Sequence, residues 1–142
     1  MARQVPSDVP SPKKTTGGFS LPHGETTHLS LNIVKHLMVH PNSTFAIHVG
    51  SMAMKDLGIF KNDTLLVDRS IEPRHNHVVL AVVNDEFLVR RIYFKNGIMQ
   101  LRPENSRYPI IEQKEGLEIV IWGVVVSCIK QIFKNPDDLF AS

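Results

Sequence analysis

From position 44 onward, short apolar runs alternate with turn-forming clusters, and this punctuation predicts strands rather than helices. Residues 44–49 (Thr-Phe-Ala-Ile-His-Val) and 64–68 (Thr-Leu-Leu-Val-Asp) are rich in β-branched and aromatic side chains, and a turn-forming stretch that includes Lys61-Asn62-Asp63 parts them. The run 78–83 is apolar throughout, and Asn84-Asp85 behind it is a hairpin signal that leads into a strand over 87–94. Asn96-Gly97 is the strongest turn dipeptide of the chain; beyond it, apolar and polar residues nearly alternate over 98–102. A last long strand is predicted over 117–132, with Gly123 at a bend.

Before position 44 the pattern changes. Ser30 can cap a short helix that carries Leu31, Val34 and Met38 on one face and is stopped by Pro41. Residues 1–28 hold Pro6, Pro10, Pro12 and Pro22 together with Gly17, Gly18 and Gly24, and their sizeable apolar groups are Val5, Val9, Phe19 and Leu21. Such a segment buries too little surface to offset the entropy of ordering, so it reads as an extended arm. It is also too short and too proline-rich for a helix-turn-helix module. The expected organisation is an arm over 1–28, a β domain over 29–135 and a tail over 136–142. No period repeats and no βαβ alternation occurs, which predicts a mainly β, mostly antiparallel domain with one short helix.

Composition narrows the function classes. A chain of 142 residues, 42% hydrophobic and 21% charged, can bury one ordinary core. Sixteen Lys and Arg against fourteen acidic residues leave a net charge of +2, too small an excess for electrostatic capture of nucleic acid, and no direct sequence-specific DNA binding is expected. Cys128 is the one cysteine; it excludes an internal disulfide and is expected as a buried, inert thiol in the last strand. Met-Ala-Arg-Gln-Val-Pro opens the chain without an apolar stretch behind it, and the longest apolar run, 119–126, is too short to cross a bilayer. The expected compartment is the cytoplasm, with no membrane contact.

Little metal or cofactor chemistry is indicated. His36 and His40 stand four apart on the predicted helix, and His75 and His77 two apart, but neither pair has a Cys or carboxylate at a supporting offset. Solvated or capping histidines are expected, with no metal and no cofactor. There is no glycine-rich phosphate loop and no Gly-x-Ser-x-Gly elbow, so neither a nucleotide site nor an α/β-hydrolase is supported.

Residues 45–68 are more specific. They read Phe-Ala-Ile-His-Val-Gly-Ser-Met-Ala-Met-Lys-Asp-Leu-Gly-Ile-Phe-Lys-Asn-Asp-Thr-Leu-Leu-Val-Asp. This stretch resembles the Ser-Met-x-x-x-Gly-Ile-x-x-Gly-Asp-x-(Leu)-x-Val-Asp signature of the LexA-like self-cleaving serine peptidases, most closely the UmuD-like polymerase-manager proteins of the bacterial SOS response. Further matches are His40-Pro41-x-x-Thr44, Glu86-Phe87-x-Val89, Leu101-x-Pro103-x-Asn105-Ser106-x-Tyr108 and Gly123-Val124-Val125. A gapless register holds from Gly17 to at least Ile92.

The resemblance implies a LexA/UmuD-type β domain in which a serine, activated by a lysine on the strand after the hairpin, cuts a bond in the protein's own arm. That lysine must be desolvated, because a neutral amine is needed to take the serine proton. By position, the scissile bond falls at Gly17-Gly18, where Gly17 departs from the usual Ala or Cys. The nucleophile position falls at Ala53, followed by Met54, and the general-base position at Arg90 within Phe87-Leu88-Val89-Arg90-Arg91. A methyl group cannot attack a carbonyl, and a guanidinium stays protonated at accessible pH. Ser51, in Gly50-Ser51-Met52, is an alternative nucleophile under a register shifted by two residues, but it would still lack a base. Lys95 is the nearest lysine on that segment and lies beside the Asn96-Gly97 turn.

No efficient self-cleavage is therefore expected. Natural decay of the dyad explains both positions, whereas an engineered trap would need Ala53 alone. Arg90 in a pocket shaped for neutral lysine is expected to find a carboxylate partner or an exit to water, leaving the cleft remodelled or open. The implied role is an accessory subunit of SOS-induced translesion synthesis held at full length, a homodimer or a mixed dimer with a cleavable relative. Its implied partners are a UmuC-type translesion polymerase, the recombinase filament on single-stranded DNA and the sliding clamp. The rival readings are an active peptidase that uses Ser51 or acts in trans, and a LexA-like transcriptional regulator.

Overall fold

The computed structural model describes residues 37 and 40–133. The arm over 1–28, the Gly17-Gly18 position, His36 and the tail over 136–142 lie outside the described residues, as does the predicted helix apart from Leu37, which is helical. The β unit begins at His40.

Among the described residues that unit is built on one seven-stranded sheet. Its strands are β1 (Thr44–His48), β2 (Thr64–Asp68), β3 (Val78–Val83), β4 (Glu86–Lys95), β5 (Ile98–Arg102), β6 (Ile111–Glu112) and β7 (Ile119–Ile129), with 3-10 turns at Pro41–Ser43 and Lys55–Leu57. They lie in the order β1-β2-β7-β3-β4-β5-β6, every pair antiparallel. The expected mainly β domain is thus observed, with short 3-10 turns beside it and a two-residue β6 that no periodicity could announce.

The apolar runs become the centre of the sheet. Strand β3 lies between β7 and β4, and its alternate residues enter two different cores. Leu80 packs with Val49, Met54, Ile59, Leu65 and Val67, whereas Val79, Ala81 and Val83 pack with Ile92, Leu101 and Val124. Burial on both faces is why 78–83 carries no polar position. The two tight hairpins form where expected: Asn84 and Asp85 have φ of 46° and 67°, and Asn96 and Gly97 have 52° and 78°. Positive φ at both central residues matches the right-handed twist of the flanking strands.

Strand β7 differs from expectation in extent and regularity. It ends at Ile129, and it bulges twice. Against β3, Gly123 faces Leu80 and Ile121 faces Ala81, leaving Trp122 as the extra residue; against β2, Ser127 faces Leu66 and Val125 faces Val67, leaving Val126. Gly123 allows β2 and β7 to approach: a Cβ there would lie 2.6 Å from Val67 Cγ1 and 3.2 Å from Asp68 O. The expectation of a buried Cys128 is corrected, because its side chain is exposed. Pairing with β3 stops at Val124, so among the described strands residue 128 is flanked by β2 alone.

Candidate functional site

The connection between β1 and β2 carries the residues of the signature. Its ends are closed by two backbone hydrogen bonds, Val49 N to Asp63 O and Asn62 N to Val49 O, both 2.8 Å. Inside it, Met54 is anchored in the core beside Ile59, and Gly58 at φ 88° ends the 3-10 turn. Ala53 is 1% exposed, so its methyl is packed away from water. Its amide donates to Ser51 Oγ at 3.4 Å, which makes Ser51 a local turn partner of the position two residues on.

A distant loop holds this segment in place. The carbonyl of Ala53 accepts from the Glu104 amide at 2.9 Å, the carbonyl of Glu104 accepts from the Asp56 amide at 2.8 Å, and Asn105 Nδ2 donates to Met52 O at 2.9 Å. The same loop is tied to β4, where Arg91 donates from Nε to Glu104 Oε1 at 2.7 Å and from Nη1 to Asn76 O.

Arg90 is the residue before that clamp. It is 5% exposed, donates from Nη1 to the carbonyl of Val89 at 2.8 Å, and has its buried Nε without a hydrogen-bond partner among the described residues. Its guanidinium lies over the ring of Tyr108, 5.6 Å from the centroid. Among the described residues neither the expected carboxylate partner nor an exit to water is observed. An aromatic face receives the cation instead. Burial pushes its pKa down, opposed by Tyr108 and Glu86, and a guanidinium remains a cation across the accessible range.

Ala53 and Arg90 thus border one loop, the first through the Glu104 amide and the second through Tyr108. A cavity of about 430 Å³ opens there, lined by Met52, Lys55, Asn105, Arg107 and Tyr108. Lys95, at the end of β4, is exposed.

Two buried carboxylates build the frame around the signature. Asp63 Oδ2 accepts from the Phe60 amide at 2.8 Å and from Lys130 Nζ, and the Cys128 thiol approaches it at 3.6 Å. Asp68 Oδ1 accepts from the amide and hydroxyl of Ser70 at 2.8 and 2.6 Å, while Oδ2 meets His40 Nδ1 at 2.7 Å. Burial alone would raise both carboxyls; these hydrogen bonds and the nearby charges outweigh it and hold them below the ordinary value. The sequence assigns both aspartates turn and strand-end roles but gives no sign of Lys130 or His40 as their partners.

His75 and His77 serve the backbone. His77 Nδ1 accepts from the Arg74 amide and His75 Nδ1 from the Phe94 amide, each at 3.0 Å. Among the described residues no three His, Cys, Asp or Glu side chains gather as a metal site would require, and no helix is long and apolar enough to cross a membrane.

Comparison with known proteins adds three likenesses. The peptidase S24-like family model matches residues 12–126. The LexA repressor of Thiobacillus denitrificans is 36% identical over 105 residues, which cover 70% of this chain and 52% of the repressor. Protein MucA of Salmonella typhimurium and that of Escherichia coli are each 30% identical over 114 residues, covering 80% of this chain and 77% of MucA. The chain therefore spans about half the length of that repressor and about three quarters of MucA.

Proposed function

The chain belongs to the peptidase S24-like family, and on that footing we propose that it is a UmuD-like accessory subunit of SOS-induced translesion synthesis that does not cleave itself. Ala53 holds the nucleophile's position and Arg90 that of the general base. The observation that carries the reading is the chemistry of these two buried side chains, a methyl and a guanidinium.

Cleavage in this family's manner requires a hydroxyl oxygen to attack the carbonyl of residue 17 while its proton passes to a neutral amine. Ala53 has no hydroxyl, and Arg90 has no free lone pair to receive a proton. Ser51 does not restore the pair: its oxygen accepts from the Ala53 amide, and no basic side chain among the described residues hydrogen-bonds to it. The bond between Gly17 and Gly18 stays intact, and the arm remains attached.

A permanently full-length subunit has a use as a restraint. As a homodimer, or in a mixed dimer with a cleavable relative, it would hold back a UmuC-type polymerase, and it would meet the recombinase filament and sliding clamp through protein contacts. The low net charge suits a protein that leaves the nucleic acid to its partners.

The test is intact-mass spectrometry of the purified full-length chain after incubation with recombinase filaments on single-stranded DNA, and separately at high pH. An unchanged mass is expected, and a fragment beginning at Gly18 overturns the proposal. A salt-dependent, sequence-specific gel shift with the protein alone would favour a LexA-like regulator instead.

A further inference from the structure

The cavity beside Tyr108 is cationic in a way the proposed function does not use. Lys55 and Arg107 line it together with Met52, Asn105 and Tyr108, and no carboxylate is part of its wall. Arg90 stands over the ring of Tyr108, nine-tenths buried, its Nε without a partner among the described residues. Three cations around one loop, one of them buried and short of a hydrogen bond, are stabilised by an anionic occupant.

The chain carries a segment of matching chemistry, and it leaves the sheet nearby. Beyond the end of β7, Lys130 places Nζ 4.3 Å from the ring centroid of Phe60. The next residue along that connection, Lys61, donates its amide to Met52 Sδ at 3.2 Å, and Met52 is part of the cavity wall. Residues 134–142 then read Lys-Asn-Pro-Asp-Asp-Leu-Phe-Ala-Ser, two adjacent carboxylates followed by two large apolar groups. Nine residues reach at most about 30 Å when extended, far more than the width of one connection. Leu57 and Phe60, on the same connection as Lys55, present exposed apolar side chains that such a segment could cover.

We infer that the C-terminal segment docks in cis on this cavity, with Asp137 and Asp138 between Lys55 and Arg107 and with Leu139 and Phe140 against Leu57 and Phe60. Docking of this kind makes the tail an internal competitor for any acidic peptide that approaches the connection carrying Ala53. The inference stands apart from the catalytic assignment of Ala53 and Arg90, since it rests on the charge of the cavity wall and the path of the chain.

A nitroxide attached to the full chain at Ser142→Cys, in a Cys128→Ser background, tests this by paramagnetic broadening of amide signals. Loss of the Met52, Lys55, Asn105 and Arg107 signals is expected, with their return when the label is reduced. Lys55→Glu with Arg107→Glu, or salt raised to about 1 M without any substitution, should bring the signals back in the labelled protein. Adding Asp137→Lys and Asp138→Lys to the charge-reversed protein should remove them again. Undiminished signals, or a loss that ignores both salt and charge reversal, overturn the inference. So does a loss seen only when label and isotope reside on different molecules, which would place the tail of a second copy there.

Discussion

The guanidinium of Arg90 rests over the ring of Tyr108, 5.6 Å from its centroid, where a buried cation would ordinarily meet a carboxylate. An aromatic face contributes about 0.5–2 kcal/mol to such a contact, while an unsatisfied buried donor costs about 1–3 kcal/mol. The two effects leave Arg90 near balance or slightly destabilising. Arg90→Met keeps an unbranched apolar chain as far as the place of Nε and removes the orphaned donor, so urea unfolding is expected to show unchanged or higher stability, by up to about 1 kcal/mol. A loss of 2 kcal/mol or more would mean that Arg90 has a partner that stabilises it.

Stability should also depend on acid in a predictable direction. Asp63 and Asp68 are held below their ordinary value of 3.8, so as the pH falls the unfolded chain takes up protons before the folded one. Their contribution is complete above about pH 5 and disappears as the pH drops through the lower folded values. Denaturant midpoints measured from pH 6 down to pH 2 should fall in that window, and Asp63→Asn with Asp68→Asn should be less stable at pH 6 but have a flatter profile. An unchanged slope would separate these carboxyls from the acid response.

At Gly123, the close approach of β2 and β7 leaves no room for a methyl group. A Cβ 2.6 Å from the fully buried Val67 side chain and 3.2 Å from Asp68 O must push one of them aside. Gly123→Ala is expected to cost about 2–3 kcal/mol in urea unfolding, within the range for overpacked cores. Val67→Ala should recover part of that loss, because it removes the nearer of the two clashes.

Cys128 is exposed yet is expected to be a slow nucleophile. Partial burial of its sulfur and the Asp63 carboxylate 3.6 Å away both push the thiol's pKa up, which lowers the thiolate fraction near neutrality. Alkylation by iodoacetamide at pH 8 should run slower than for an unstructured thiol and should speed up in Asp63→Asn. Equal rates in the two proteins would remove Asp63 from the explanation.

Much of the sheet is legible in the chain because its signals are local. Apolar runs and the Asn84-Asp85 and Asn96-Gly97 turns locate β2, β3, β4 and β5 to within a residue. What escapes is non-local. The register of β7 slips twice because two different neighbours constrain it, and β6 consists of two residues paired with Gln100 and Leu101. The site follows the same division. Ala53, Ser51 and Arg90 are reached by position along a motif, whereas Tyr108 as the neighbour of Arg90 comes from beyond the next strand, and the Glu104 and Asn105 hydrogen bonds to Ala53 and Met52 join residues about fifty positions apart. No periodicity encodes such contacts.

We propose that two positions, Ala53 and Arg90, separate this chain from a self-cleaving relative. Restoring both tests it most directly, because a lysine at the buried position 90 would have its pKa lowered toward the neutral amine that cleavage needs. Mass spectrometry of Ala53→Ser, Arg90→Lys and the double variant, beside the unmodified chain, should reveal a fragment beginning at Gly18 in the double variant alone, at a rate that rises with pH. Cleavage of the unmodified chain, equal cleavage by Ala53→Ser alone, or an inert double variant would contradict it.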